Sequence, residues 1–245
     1  LSILILIGLA YQIRTSRRID KKLNKLLVPE RNPRIVAQSL EKKMAENYRQ
    51  SEFYLQLLHI LDLKAPIPAT RGWAGSPDVL LTLIAEATKS KPARALDLGS
   101  GVSTLVLGKI APQASVISID NSPEYGAKTR ELLDAHQITN VDLRIAPLKP
   151  HSDGVDWYDL SQFTDIDQID LLFIDGPPST ENNKRARHPA ISVCLPKLSP
   201  RAIIVIDDAG RDGEREMAEL FAQKLPNHRL EFLGHEKITA VLLPR

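Results

Sequence analysis

The sequence predicts an α/β fold, a mostly parallel sheet covered by helices on both faces and ending in an antiparallel hairpin. Three observations carry this. From about residue 72, short β-branched runs alternate with helix-like segments. The runs are nearly continuous in apolar residues, as strands buried on both faces are. The last two runs, 229–233 and 238–242, stand four residues apart, which suits a hairpin.

Residues 1–11, LSILILIGLAY, are almost wholly apolar. A membrane-spanning helix needs about 20 such residues, so this run is about half a span. Arg14, Arg17, Arg18, Lys21, Lys22 and Lys25 follow directly. Positive charge beside an apolar segment stays on the cytoplasmic side. The segment therefore reads as the end of a signal anchor, leaving a membrane-associated chain with its main domain in the cytoplasm. A buried or frayed N-terminal helix is the alternative. Residues 35–63 carry Ile35, Val36, Leu40, Met44, Tyr48, Leu55, Leu58 and Leu61 near helical spacing. A stalk, a homodimer helix or a helix packed on the main domain would each fit.

The strands are expected at 93–98, 115–119, 141–145, 169–174 and 202–206, followed by the hairpin. Helices are expected at 104–110, 124–136, 184–198 and 212–225. This places an anchor remnant and helical stalk in residues 1–70 and a catalytic domain in 71–245. The first part holds 12 Lys/Arg against 6 Asp/Glu, and the second 20 against 24. The net charge of +2 thus conceals +6 beside −4. The near balance argues against a dedicated nucleic-acid binder. A single cysteine, Cys194, excludes a disulfide scaffold and a cysteine-cluster zinc site.

Ligands of parallel sheets bind at the carboxyl ends of the strands. After the first strand comes Asp97-Leu98-Gly99-Ser100-Gly101-Val102-Ser103-Thr104. Its glycines allow a tight turn and close backbone approach, and the helix that follows aims free N–H groups at the same place. Asp97 is suited to the amino group of a zwitterion. The second strand ends in Asp120, 19 residues after Gly101. A carboxylate there accepts ribose hydroxyls, although Asp120-Asn121-Ser122-Pro123 would also cap a helix.

These pieces resemble the class I S-adenosylmethionine-dependent methyltransferases over residues 72–245. Within that superfamily, Asp175-Gly176-Pro177-Pro178, Arg187-His188-Pro189-Ala190 and Asp207-Asp208-Ala209-Gly210-Arg211 are similar to a small bacterial group. The segment Arg71–Pro77 looks like that group's way into the cofactor site. The resemblance implies a doubly wound, Rossmann-like, seven-stranded sheet. It implies that Asp97, Gly99, Ser100, Gly101 and Ser103 hold the methionine part of the cofactor, and that Asp120 and Asn121 hold ribose and adenine. Ala146-Pro147-Leu148 would meet adenine through apolar contact and backbone.

Asp175, Asp207 and Asp208 end neighbouring strands. Their hard oxygens suit Mg²⁺ or another divalent cation, as in metal-dependent catechol-type O-methyltransferases, which the trio resembles. Those enzymes carry an Asp-Asn pair where this chain has Asp207-Asp208, and a lysine where it has Pro177-Pro178. The alternative is a metal-free base, with Asp175, Asp207 or His188 drawing off a proton. Arg185 and Arg187 would clamp an acidic substrate or merely begin a solvated helix. His59, His136, His151, His228 and His235 read as surface residues. The expected reaction is O-methylation of a small-molecule or glycan-type hydroxyl. Two further readings are an NAD-dependent oxidoreductase or epimerase and a non-catalytic, membrane-tethered adapter. Thr104 in place of a third glycine disfavours the first, and the intact Asp97, glycine turn and Asp120 disfavour the second.

Overall fold

The computed structural model describes residues 33–245. The apolar run 1–11 and its basic cluster lie outside the described residues. No helix among those described is long and apolar enough to cross a membrane.

Helix α1 (Pro33–Leu61) exposes Ile35, Val36, Leu40, Met44 and Tyr48. The larger compact unit is Gln50–Arg245. It therefore begins within α1, and residues 50–70, read from sequence as stalk, include the core residues Leu57 and Leu61.

Helix α2 (Pro77–Ser90) was not expected, although its signals are present. Pro77 opens it after Ser76, and a left-handed Lys91 closes it. Its residues Val79, Leu80, Leu83, Ile84 and Ala87 are buried. The strands are β1 (Arg94–Leu98), β2 (Ser115–Asp120), β3 (Val141–Ile145), β4 (Leu148–Pro150), β5 (Asp156–Tyr158), β6 (Ile169–Ile174), β7 (Leu198–Ile206), β8 (His228–Leu233) and β9 (Thr239–Pro244). Further helices are α3 (Val102–Ile110), α4 (Pro123–Ala135), α5 (Pro189–Cys194) and α6 (Asp212–Lys224). The helix expected at 184–198 shrinks to α5 and one 3-10 turn (Leu195–Lys197). Pro189 and Pro196 confine it, because proline cannot donate to a preceding helical turn.

Seven strands form one sheet in the order β3-β2-β1-β6-β7-β9-β8. Pairings from β3 to β7 are parallel, and β9 runs antiparallel to both β7 and β8. The sheet is thus doubly wound and Rossmann-like, with the expected C-terminal antiparallel hairpin. Strand residues alternate between two cores, as a two-residue period demands. Ala95, Val116, Leu171, Phe173 and Val205 face α1, α2 and α3. Leu96, Ile117, Leu172, Ile174 and Ile204 face Trp157, Tyr158, α5 and α6. Two histidines read as surface residues are in fact buried. His228 lies against the Ala202 carbonyl, and His136 accepts from the Lys64 backbone N–H.

Strand order reverses between β1 and β6, so the switch point lies between Leu98 and Ile174. The segments following these two strands meet there.

Candidate active site

The turn after β1 is built around two close approaches. Gly99 has φ +105, and a Cβ there would lie 3.1 Å from the Asp175 carbonyl carbon and from the Gly176 nitrogen. A Cβ on Gly176 would lie 2.3 Å from the Tyr158 hydroxyl oxygen and 3.0 Å from Gly99 Cα. Only glycines let the β1 and β6 loops touch. Gly101 differs, since a Cβ there would meet nothing within 4 Å. The Gly101 side of the turn is therefore open, beside the start of α3, where free N–H groups favour an anionic ligand group.

Asp97 lies fully buried beneath this turn. Thr104 donates to its carboxylate at 2.6 Å and Ser118 at 3.0 Å, with Ser103 at 3.3 Å. Thr104 also accepts from the Gly101 N–H at 2.9 Å. The residue at the missing glycine position thus ties the turn to the acid. Burial pushes the Asp97 carboxyl up to about 7, against the pull of its hydroxyl partners.

Asp120 ends β2. It accepts from the Ser100 N–H at 3.0 Å and hydroxyl at 2.7 Å, and from the Ser122 N–H at 2.8 Å. Ser122 caps α4 by accepting from Tyr125 N–H. The binding and capping readings of Asp120 are thus compatible, because one carboxylate serves both turns. Ala146, fully buried, donates its N–H to the Asp120 carbonyl at 2.8 Å, which sets the loop after β3 beside Asp120 and Asn121.

Asp175, Asp207 and Asp208 converge as expected, each offering a carboxylate oxygen within 4.8 Å of the others. Sequence reasoning missed what lies among them. Arg187 is buried and donates to the carbonyls of Asp175 (2.7 Å), Pro177 (3.2 Å) and Asp207 (3.3 Å). Its Nη2 also reaches the Asp208 carboxylate at 3.1 Å and that of Asp175 at 3.3 Å. It is neither a substrate clamp nor a solvated helix start, but the brace of the site. Lys237 stands 3.7 Å from both Asp207 and Asp208. Arg211 pairs with Asp208 at 3.0 Å. Buried Glu214 accepts from Ser179 at 2.6 Å and lies 3.7 Å from Arg187. The oxygens are the type a hard cation takes, and Arg187, Arg211 and Lys237 already lie within ion-pair distance of them.

Burial raises the Asp207 carboxyl above its usual range, and Asp208 adds to this. Both Asp207 oxygens are buried without a hydrogen-bond partner. Burial also raises Asp175, and Arg187 opposes the rise. His188 is not in this cluster. Its Nε2 lies 3.0 Å from the Gly213 carbonyl of α6, and Arg185 pairs with Glu216 on the same helix. Residues 71–75 form a rim only in the sense that they pack on the loop before β9, where Lys237 donates to the Gly72 and Ala74 carbonyls. Arg71 grips Glu236 through two guanidinium nitrogens, at 2.8 and 2.5 Å, and Trp73 is 82% exposed.

The arrangement is that of an open α/β sheet whose loops after β1 and β6 meet at the switch point. Residues 96–209 match the family described as a methyltransferase domain. No match was found among curated proteins. The fold is similar to that of an O-methyltransferase from Bacillus cereus in complex with S-adenosylhomocysteine, at 18% identity and TM-score 0.54, covering 79% of this chain and 90% of that one. It is similar to a putative O-methyltransferase from Klebsiella pneumoniae, at 18% identity and TM-score 0.55, covering 93% and 96%. A methyltransferase from Podospora anserina bound to S-adenosylhomocysteine matches at 19% identity and TM-score 0.53, covering 71% and 80%. These likenesses show a shared fold, and the methyltransferase-domain match lies within it, over residues 96–209.

Proposed function

We propose that the chain methylates a hydroxyl of a small molecule or glycan-type acceptor, with Asp207 as the base. The observation that carries this is the state of Asp207, whose carboxylate at the end of β7 is buried, has no hydrogen-bond partner, faces Lys237 at 3.7 Å and is raised in pKa. A base of that kind can hold a hydroxyl proton near neutral pH. The observed sheet order and the methyltransferase domain match support this over the oxidoreductase and adapter readings.

The residues present fit the cofactor. Gly101 leaves open backbone at the start of α3, and Asp120 offers a carboxylate. S-adenosylmethionine, when bound, supplies an electrophilic methyl group on a sulfonium. Gly99, Ser100 and Gly101 would hold its methionine part, over Asp97 and Ser103. Asp120 would hold its ribose, and Asn121 and Ala146 would border its adenine.

The carboxyl edge has two halves. Asp120 accepts from hydroxyl and N–H groups, so its negative charge suits a cationic ligand, while buried Asp97 anchors the turn beneath through Thr104 and Ser118. Asp175, Asp207 and Asp208 are braced by Arg187 and Lys237. On this acceptor half, Arg187 holds Asp175 in place and Asp207 receives the proton. Alignment of nucleophile and methyl supplies most of the rate, because orientation replaces an improbable encounter.

Calorimetry with S-adenosylhomocysteine and with NAD tests the cofactor reading. S-adenosylhomocysteine alone should bind, and Asp120→Ala should weaken it about tenfold or more through loss of a charged hydrogen bond. Unchanged affinity would remove the ribose assignment. A screen of hydroxyl acceptors with labelled cofactor tests the reaction. Asp207→Asn should abolish labelling of any acceptor found, without changing S-adenosylhomocysteine affinity.

A membrane tether in residues 1–25 is also part of this reading. It is supported by the apolar run beside six basic residues.

A further inference from the structure

We propose that Lys237 is the resident cation of the carboxylate cluster, lying against the oxygens that would otherwise ligate a divalent ion, so that the acceptor half works without metal. This rests on the methyltransferase reading of the site.

The topology brings Lys237 there. Because β9 is antiparallel to β7, the loop entering β9 lies at the carboxyl edge of the parallel strands. Two hydrogen bonds lock that loop to the one after β7, from Ala209 N–H to the Ile238 carbonyl at 2.8 Å and from Gly210 N–H to the Lys237 carbonyl at 3.0 Å. Gly210 is needed, since a Cβ there would lie 2.9 Å from the Lys237 oxygen. Asp208 and Ile238 both adopt φ +60. This is a costly conformation for a β-branched residue, and it persists only where the surroundings impose it.

An ammonium has three donors. Lys237 directs two at the carbonyls of Gly72 (2.9 Å) and Ala74 (3.3 Å). The charge is left 3.7 Å from Asp207 Oδ2 and 3.7 Å from Asp208 Oδ1. Among the described residues, no other cation lies within ion-pair distance of Asp207. Arg187, Arg211 and Lys237 face Asp175, Asp207, Asp208 and Glu214. Three protein cations thus already face these four carboxylates, so a divalent ion would add further positive charge beside them in a buried site. Lys237 also joins the rim to the cluster, because the carbonyls that fix it flank Trp73.

The test is Mn²⁺ titration of the whole chain, followed by electron paramagnetic resonance, for wild type, Lys237→Met and Lys237→Arg. Wild type and Lys237→Arg should show no saturable binding. Lys237→Met should bind Mn²⁺ about tenfold or more tightly, since a charge within 4 Å of two carboxylates has been removed. Tight binding to wild type, or equal binding by all three proteins, would overturn the proposal. Should Lys237→Met fail to fold, wild type alone still decides. Calorimetry with S-adenosylhomocysteine on the same samples keeps the two readings apart. Failure to bind it would sink the methyltransferase reading, whereas Mn²⁺ binding beside normal S-adenosylhomocysteine affinity would sink only the role of Lys237.

Discussion

At the scale of single residues, the acids were legible and their partners were not. Asp97, Asp120, Asp175, Asp207 and Asp208 each stand at or just beyond a strand end, where the pattern of apolar runs alone places them. Arg187 and Lys237 complete the site from loops and Thr104 from the first turn of α3, positions to which no periodicity points. Arg187 makes the sharpest prediction. Arg187→Met removes the charge that faces Asp175 and Asp208 and leaves three carbonyls without their donor. Breaking a buried pair on one side costs about 3–5 kcal/mol, to be read as a loss of unfolding free energy in denaturant. A loss below about 1 kcal/mol would mean that the brace is dispensable. Asp97 makes a prediction with a defined sign. Its carboxyl is raised from 3.8 to about 7, so between those values the folded protein keeps a proton that the unfolded chain has lost. Stability from this group therefore falls as pH rises from about 4 to 7 and is level above that. Asp97→Asn should remove that share. The gap in unfolding free energy between variant and wild type should shift in the variant's favour across this window and then stay constant. A gap independent of pH would contradict the buried state of Asp97.

Elements were legible in proportion to their length and burial. The five parallel strands were found because each is a short run rich in β-branched and other apolar residues between breakers. The three-residue strands β4 and β5 were missed, because so short a segment has no period to detect. Yet β5 contributes Tyr158, whose hydroxyl lies buried against Gly176, under the junction of the β1 and β6 loops. This packing predicts a specific coupling. Gly176→Ala would force a methyl group onto the Tyr158 oxygen and toward Gly99. It should destabilise the protein by about 1–3 kcal/mol, as overpacking does, and weaken S-adenosylhomocysteine binding by spreading the switch point. Tyr158→Phe removes the clashing oxygen, so the double variant should recover part of both losses. A double-mutant cycle in denaturant and by calorimetry measures this. Strict additivity would show that the two groups do not share the junction.

For the whole molecule, the overall charge of +2 is the sum of two unlike parts, +6 in residues 1–70 and −4 in 71–245. The acidic excess has an address in the structure, since five aspartates line the carboxyl edge of one sheet. Its cofactor half is left to hydroxyl and N–H partners, while its acceptor half carries its own cations. The basic excess gathers around an apolar run that the sequence alone describes. If that run is a tether, two forces hold the chain to a bilayer. Burial of apolar side chains does not depend on salt, whereas attraction of basic residues to anionic lipid adds about 1 kcal/mol each and is screened by salt. Flotation of the full chain with phosphatidylcholine vesicles, with and without phosphatidylserine, separates the two. The chain should float with both at high salt, and more completely with phosphatidylserine at low salt. Replacing Arg17, Arg18, Lys21 and Lys22 with Glu should abolish only the phosphatidylserine-dependent gain. Replacing Leu4 and Leu6 with Glu should abolish flotation at high salt. A chain that stays with the dense fraction under every condition would leave the +6 segment without a membrane role.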